Sequence, residues 1–375
     1  MKDYMAVFNI NENENEIRSL TTNRPIASIP FASRYRVIDF MLSNVVNAGI
    51  TNVGIFYDNN TRSLIDHIDT GKPWDLNRKN DGVFMFNHSL DDLGKMDPKV
   101  ITNNLEYFYR SKSDMVILTS SYMICNIDIG AVCMAHEESG ADITMLYKHV
   151  DDATDNFKYC YTLNINKNTN EVIDAGRNIG LMHDADICME VFIMSRQLFV
   201  QFLHQAASSK GQTGIYNLIF DEMDNYKTNA YEVRDYVACI NSISAYYKAS
   251  MDMLSSKIRL ALLMHPDRPI YTKIKDEHPT LYVEGCQLYN SLIADGCIIK
   301  GNVRDSIIAR YVTIEENCEL ENCIILQNCK IKAGSKLSNV IIDKNAVIDC
   351  DTELKGSREY PVVIEKRNLA LDLKF

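Results

Sequence analysis

Between Ser291 and Leu354 short aliphatic pairs return every five to six residues: Ile298-Ile299, Ile307-Ile308, Ile324-Ile325, Ile341-Ile342 and Val347-Ile348. Ile314, Leu320, Ile331, Leu337 and Leu354 keep the same rhythm, and Gly, Asn, Asp and Cys fill the gaps. This period fits neither the 3.6 of an amphipathic helix nor the 2 of an ordinary strand. It is the hexapeptide pattern of a parallel β-helix, in which each flat face takes about six residues and small aliphatics fill the prism. Roughly sixty residues of pattern predict three to four turns.

The first 150 residues read differently. Apolar runs at Met5–Phe8, Asn52–Tyr57, Asp114–Thr119 and Ala141–Tyr147 alternate with helical patterns at Asp39–Ala48 and Leu105–Arg110. Fully apolar strands separated by helices predict an α/β domain with a mostly parallel sheet. His265-Pro266, Arg268-Pro269 and His278-Pro279 interrupt any regular element. The expected division is therefore an α/β domain over 1–265, a linker over 266–285 and a β-helix domain over 286–375.

Composition narrows the partners. The net charge of −11 argues against nucleic acid as the main partner. No run of about 18 apolar residues is present, and Met1-Lys2-Asp3-Tyr4 begins no secretory signal, so a cytoplasmic protein with no membrane partner is expected. The 11 cysteines contain no C-x-x-C, and Cys318, Cys323 and Cys329 lack zinc-ligand spacing. They are expected to be free thiols, and the 8 histidines form no metal motif.

The segment Pro30-Phe31-Ala32-Ser33-Arg34-Tyr35-Arg36-Val37-Ile38-Asp39-Phe40-Met41-Leu42-Ser43-Asn44 closely resembles the P-F-G-G-K-Y-R-I-I-D-F-x-L-S-N run of ADP-glucose pyrophosphorylases, the glucose-1-phosphate adenylyltransferases. Ser244–Met253 is similar to the family's E-A-Y-Y-x-A-N-x-x-L helix, and Asn104-Leu105 with Met115–Leu118 keeps the spacing before its metal-binding turn. The resemblance covers nearly the whole chain. It implies a Rossmann-like nucleotidyltransferase domain followed by a left-handed parallel β-helix. The family reaction joins ATP and glucose 1-phosphate, releasing pyrophosphate, and needs a glycine-rich phosphate cradle, a cation and carboxylates for Mg²⁺.

Those parts are altered here. The family cradle A-G-G-x-G-x-R-L aligns with Ile10–Ile17, so Asn11, Glu12 and Glu14 stand at the glycines and Glu16 at the arginine. A carboxylate about 4 Å from a phosphate charge costs roughly 4 kcal/mol at an effective dielectric near 20. The two metal aspartates align with Ser121 and Cys239. Asp128 and Asp235 are the nearby carboxylates available as substitutes. Met96–Ile101 aligns with the G-T-A-D-A-V loop, Ile26 with the lysine of R-A-K-P, Arg177 with the sugar-phosphate lysine, and Glu190 with the glycine beside the sugar site. A Mg²⁺ site and any tightly bound cofactor are expected to be absent.

The losses fall on the phosphate loop and metal ligands while the framework run survives. The resemblance then points to the non-catalytic, regulatory type of subunit that many Gram-positive bacteria carry beside a catalytic paralogue, with a heterotetramer as the expected assembly. It also implies an anion effector site: Arg24, Arg34 and Arg36 keep the family's cationic positions, and Arg358, Lys366 and Arg367 are C-terminal candidates for a sugar phosphate such as fructose 1,6-bisphosphate. Arg36 paired with Asp39 in a purely supporting role is the competing reading. Two other functions stay open: an active adenylyltransferase with a rearranged site, and a free-standing sugar-phosphate or nucleotide sensor.

Overall fold

The structure is a computed structural model that describes residues 2–57, 61–87, 98–154, 156–208 and 214–366. Two compact units divide the chain: Met1–Glu12, Phe40–Val237 and Pro266–Tyr271 form the first, and Asn13–Asp39, Ala238–His265 and Thr272–Phe375 form the second.

The first unit is built on a nine-stranded sheet. Its strands are β1 (Tyr4–Ile10), β2 (Asn52–Tyr57), β3 (Gly82–Asn87), β4 (Met115–Thr119), β5 (Ile143–Val150), β6 (Tyr161–Ile165), β7 (Val172–Arg177), β8 (Ala185–Ser195) and β9 (Thr228–Glu232). The main path runs β7-β6-β8-β4-β1-β2-β3, with β5 joining β8 and β9 joining β5. β3, β2, β1 and β4 are parallel, as the apolar runs predict. β4 is buried along its whole length, which is why it reads as Met-Val-Ile-Leu-Thr without alternation. Chain direction reverses at β8, which runs antiparallel to both β4 and β5. Helices α1 (Val37–Asn47), α2 (Pro98–Arg110), α3 (Ile129–Ser139) and α4 (Arg196–Ser208) connect the strands. Phe108, Phe192, Phe199 and Phe202 lie in the main core with Val116, Leu118 and Met145.

The second unit contains the left-handed parallel β-helix. Three five-stranded parallel sheets form its faces, so it has five turns rather than three to four. The extra turns lie beyond the clean pattern. In the first, Leu281, Tyr282, Leu288 and Tyr289 are exposed and carry no Ile-Ile signature. The last closes at Val362–Ile364 only after an interruption through Pro361. Before that interruption equivalent positions are 15 or 17 residues apart, as in Asn290 with Asp305 and Asn328 with Asn345. Corners explain the Asn, Asp and Gly between the aliphatics: Asn290, Asp305, Asn322 and Asn339 stack on one corner with positive φ, the region these residues tolerate best. Inside, Ile299, Ile314 and Ile331 stack under Ile348, and Cys297, Cys318, Cys323 and Cys329 pack as small apolar residues. All 11 cysteines are free.

The division of the folded chain differs from the expected one. Residues 13–39 and 238–265 were expected in the first domain but belong with the β-helix, and the expected linker holds its first strand, Leu281–Tyr282. The reason lies in the framework motifs. Helix α5 (Ile243–Asp252) carries the Tyr-Tyr pair: Tyr246 donates to the Pro30 carbonyl at 2.8 Å, and Tyr247 donates to the Asn322 carbonyl at 2.8 Å and contacts Asn339 Oδ1 at 3.0 Å. Arg24 donates to Asp343 at 2.7 Å with both side chains buried. Three distant segments are thus bonded into one unit.

Candidate functional site

In open α/β sheets ligands bind beyond the carboxyl ends of the strands. β1 and β4 are paired in register, with Phe8 opposite Thr119, so the residues that leave them, Glu12 and Ser121, become neighbours. β8 lies on the other side of β4, with Val191 opposite Thr119, and this brings Glu190 beside Ser120. The three altered family positions therefore meet at one place in the first unit.

They meet through hydrogen bonds. Glu12 Oε1 accepts from the Ser121 amide at 2.8 Å and from Ser121 Oγ at 2.7 Å. Tyr122 donates its phenol to Glu190 Oε1 at 2.6 Å, and the Ser120 amide donates to the Glu190 carbonyl at 3.2 Å. Glu190 has φ 54°, left-handed backbone that suits the glycine of the family and strains a glutamate. It sits where the β8–β5 register shifts, between Cys188 and Phe192.

Burial dominates the electrostatics. It pushes the Glu12 carboxyl up to about 7, with the two Ser121 hydrogen bonds opposing and Glu190 adding to the rise. It likewise pushes Glu190 up to about 7, against the Tyr122 hydrogen bond and the charge of Arg177. The buried Tyr216 phenol is held well above its ordinary value by desolvation, then by Glu190 and Glu12. Arg177 stacks 3.6 Å from the centre of the Tyr161 ring and donates to the Tyr159 carbonyl at 2.8 Å.

The other expected positions have surroundings of their own. Glu16 is exposed. Glu14 accepts from the Ile26 amide at 3.2 Å and lies 3.8 Å from Arg18. Cys239 is buried in the second unit. Asp128 caps α3 by accepting from the Ala131 amide at 2.9 Å, and Asp235 lies 3.9 Å from Arg268. Of the Met96–Ile101 segment, Met96 and Asp97 lie outside the described residues, and the rest begins α2. Sequence comparison marked Glu12 and Glu190 as foreign to the site. Their inward orientation, and Tyr122 as a partner, follow only from strand register.

The second unit gathers cations. Arg24 is spent internally: besides Asp343, its Nε donates to the Leu20 carbonyl at 2.8 Å. Asp39 Oδ2 accepts from the Arg36 amide at 2.9 Å, so that carboxylate supports the backbone of the framework run. Lys344 is pushed down to about 7 by burial, then by Arg36 and Arg24, against the opposing pull of Asp343. Lys275 is lowered by burial, then by Arg310 and Arg36, and Arg310 by burial, then by Arg34. Arg34, Arg36, Lys275, Arg310 and Lys344 therefore feel one another. Lys275, Arg310 and Lys344 were not expected, because stacked turns bring Arg310 and Lys344 together and Lys275 lies in the irregular segment before the first turn. Of the C-terminal candidates, Arg358 acts on Tyr247, Lys366 is half-buried just after the last strand, and Arg367 lies outside the described residues.

Comparison with known proteins agrees with both halves of the architecture. Residues 15–160 match the nucleotidyl transferase family model, and residues 280–357 match the GlmU-like C-terminal hexapeptide model. The chain is 34% identical over 358 residues to the glycogen biosynthesis protein GlgD of Bacillus subtilis (strain 168), covering 94% of this chain and 93% of that one. It is 35% identical over 355 residues to GlgD of Geobacillus stearothermophilus, covering 93% and 92%. Against the glucose-1-phosphate adenylyltransferase of Bacillus thuringiensis (strain Al Hakam) identity falls to 25% over 358 residues, with 93% of each chain covered. With full-length identity of this order, the chain belongs to the GlgD family of glycogen biosynthesis proteins.

Proposed function

We propose that this chain is a non-catalytic subunit in glycogen biosynthesis that raises or tunes the activity of a catalytic glucose-1-phosphate adenylyltransferase, in a hetero-oligomer whose expected form is a tetramer. The observation that carries this reading is the hydrogen-bonded pair Glu12–Ser121. At the position of a metal aspartate the chain has a hydroxyl, and that hydroxyl is already donating to a carboxylate that stands where the family has a phosphate-loop glycine. Mg²⁺ demands near-octahedral oxygen ligation anchored by carboxylates. A serine engaged in this way supplies no carboxylate, and Asp128 is used as the cap of α3. No step of adenylyl transfer is derived through such a site.

The cations around Lys344 support an anion-responsive role. Burial, and after it the neighbouring cations, lower the affinity of Lys344, Lys275 and Arg310 for their protons, a cost that a bound sugar phosphate offsets. Arg34, Arg36, Lys275, Arg310 and Lys344 are assigned to that effector, and Arg24 to holding the unit together.

Pyrophosphate release from ATP and glucose 1-phosphate with Mg²⁺ tests the reading, first with this chain alone and then with the chain titrated into a catalytic paralogue. Silence alone and a saturable rise in the mixture are expected. Turnover by the chain alone overturns it in favour of an active enzyme with a rearranged site. Silence in both leaves no regulatory role.

A further inference from the structure

The second face of the β-helix, formed by Leu288–Tyr289, Asn302–Arg304, Glu319–Glu321, Lys336–Ser338 and Glu353–Lys355, carries a trough of about 570 Å³. We propose that this trough is a docking site for a neutral glucan chain. The proposal is independent of the regulatory reading above.

Charge comes first. The chain as a whole carries −11, yet this face balances three cations, Arg304, Lys336 and Lys355, against three carboxylates, Glu319, Glu321 and Glu353. A surface of zero net charge has no preference for phosphate, nucleic acid or an acidic peptide. The order of the charges matters as well. Strand stacking places Lys336 between Glu319 and Glu353, with Lys336 Nζ 4.0 Å from Glu319. Over these three turns a pure donor thus lies between two pure acceptors at the spacing between strands, about 4.8 Å, and amides and hydroxyls that do both, Gln287, Asn302, Tyr289 and Ser338, line the rest. A hydroxyl both donates and accepts, so a polyhydroxyl chain answers either kind of group without changing its own chemistry.

Size gives the second argument. Five strands at about 4.8 Å span roughly 19 Å, and three residues across give roughly 10 Å, or about 200 Å² of face. A stable protein partner needs about 800 Å² on each side, so the face alone is too small for one. The volume lies within the range of small-ligand clefts, about 300–1,000 Å³, and suits a short stretch of a linear chain.

An aromatic ring lines the trough as well. Tyr289 stands at the first turn, 66% exposed, with Arg304 6.0 Å from its ring centre. An exposed ring of this kind offers an apolar platform with a polar tip. The carbon–hydrogen face of a pyranose matches the platform, and its hydroxyls match the tip and the charged side chains beyond it.

Co-sedimentation of the full chain with glycogen tests this, with maltoheptaose as competitor. The expected result is co-sedimentation that maltoheptaose displaces and that is the same at about 50 mM and 500 mM salt, since a neutral ligand is not screened. Tyr289→Ala is expected to raise the glycogen concentration for half-saturation about five- to tenfold with an unchanged melting curve. The triple variant Tyr289→Ala, Glu319→Ala, Glu321→Ala is expected to stay in the supernatant. Absence of co-sedimentation overturns the proposal. So does binding abolished by salt, which indicates an ionic contact, and so does binding unchanged in the triple variant. The pyrophosphate assay reads the regulatory role separately, so either can fail alone.

Discussion

Two groups of like charge, one in each unit, have opposite fates. In the first unit Glu12 and Glu190 are drawn out of water, but each accepts hydrogen bonds from a neighbouring side chain, and each holds a proton up to about 7. In the second, Lys344, Lys275 and Arg310 are also partly desolvated, and neighbouring cations act on each of them, with Asp343, Glu277 and Asp295 opposing. A like-charged group that is satisfied from within serves the fold. One in which like charges still repel is the place proposed above for an anion. The acids are therefore read as a rebuilt, closed region, and the cations as an open one.

The comparison is most exposed to test at its boundary, Arg24, which belongs to the cations by position but to the fold by bonding. Arg24→Ala is expected to destabilise the protein by about 3–5 kcal/mol, because Asp343 is left buried and unpaired. Chemical denaturation measures this. A loss under about 1 kcal/mol would move Arg24 into the open group. Next in size is the acid pair. Glu190 holds its proton more tightly folded than unfolded, so its contribution is present below about pH 4.5 and is lost as pH rises to about 7. Glu190→Gln should reduce the fall in stability between pH 5 and pH 8 by about 2–3 kcal/mol. An unchanged pH profile would show that the carboxyl is not closed off.

The effector prediction is smaller in energy. Arg310→Ala and Lys344→Ala are each expected to raise the fructose 1,6-bisphosphate concentration for half-maximal activation of the mixed complex about tenfold, with no loss of melting temperature. Loss of stability instead would make these cations structural. Smallest is a proton count. A bound anion favours the charged form of Lys344, so binding near pH 7.5 should take up a fraction of a proton, and less for Lys344→Ala. Calorimetry in buffers of different ionisation enthalpy reads the difference, and proton release would reverse the sign argued here.

Much of the fold was legible because its signals are local. The aliphatic period marks the β-helix through Ile314, Ile331 and Ile348, and the unbroken Met115–Thr119 run marks a buried parallel strand. The first turn was not legible, since Leu281 and Tyr289 face solvent and carry no repeat. Of the site, the substitutions at Glu12, Ser121 and Glu190 were visible as departures from a family pattern. That they bond to one another was not, because the contact depends on the register of β1, β4 and β8, which no local pattern encodes. Arg310 and Lys344 were missed for a similar reason: two turns of 17 residues separate them, a spacing with no meaning outside the coil, and Lys275 lies in the irregular segment before its first strand.

The interleaving of the second unit has a consequence for how the chain comes to be folded. Residues 13–39 leave the ribosome early, but Arg24 meets Asp343 only after more than three hundred further residues are made. Long-range closure of this kind slows folding and leaves early segments waiting with unsatisfied groups. The framework run from Pro30 and the Tyr246–Tyr247 helix are in the same position, each waiting for partners at a distance. A fragment cut near residue 265 is then not a smaller protein with one domain missing. It is a chain whose first unit can close its sheet while its early arm stays unfinished, which makes the C-terminal coil the last step in completing the N-terminal residues.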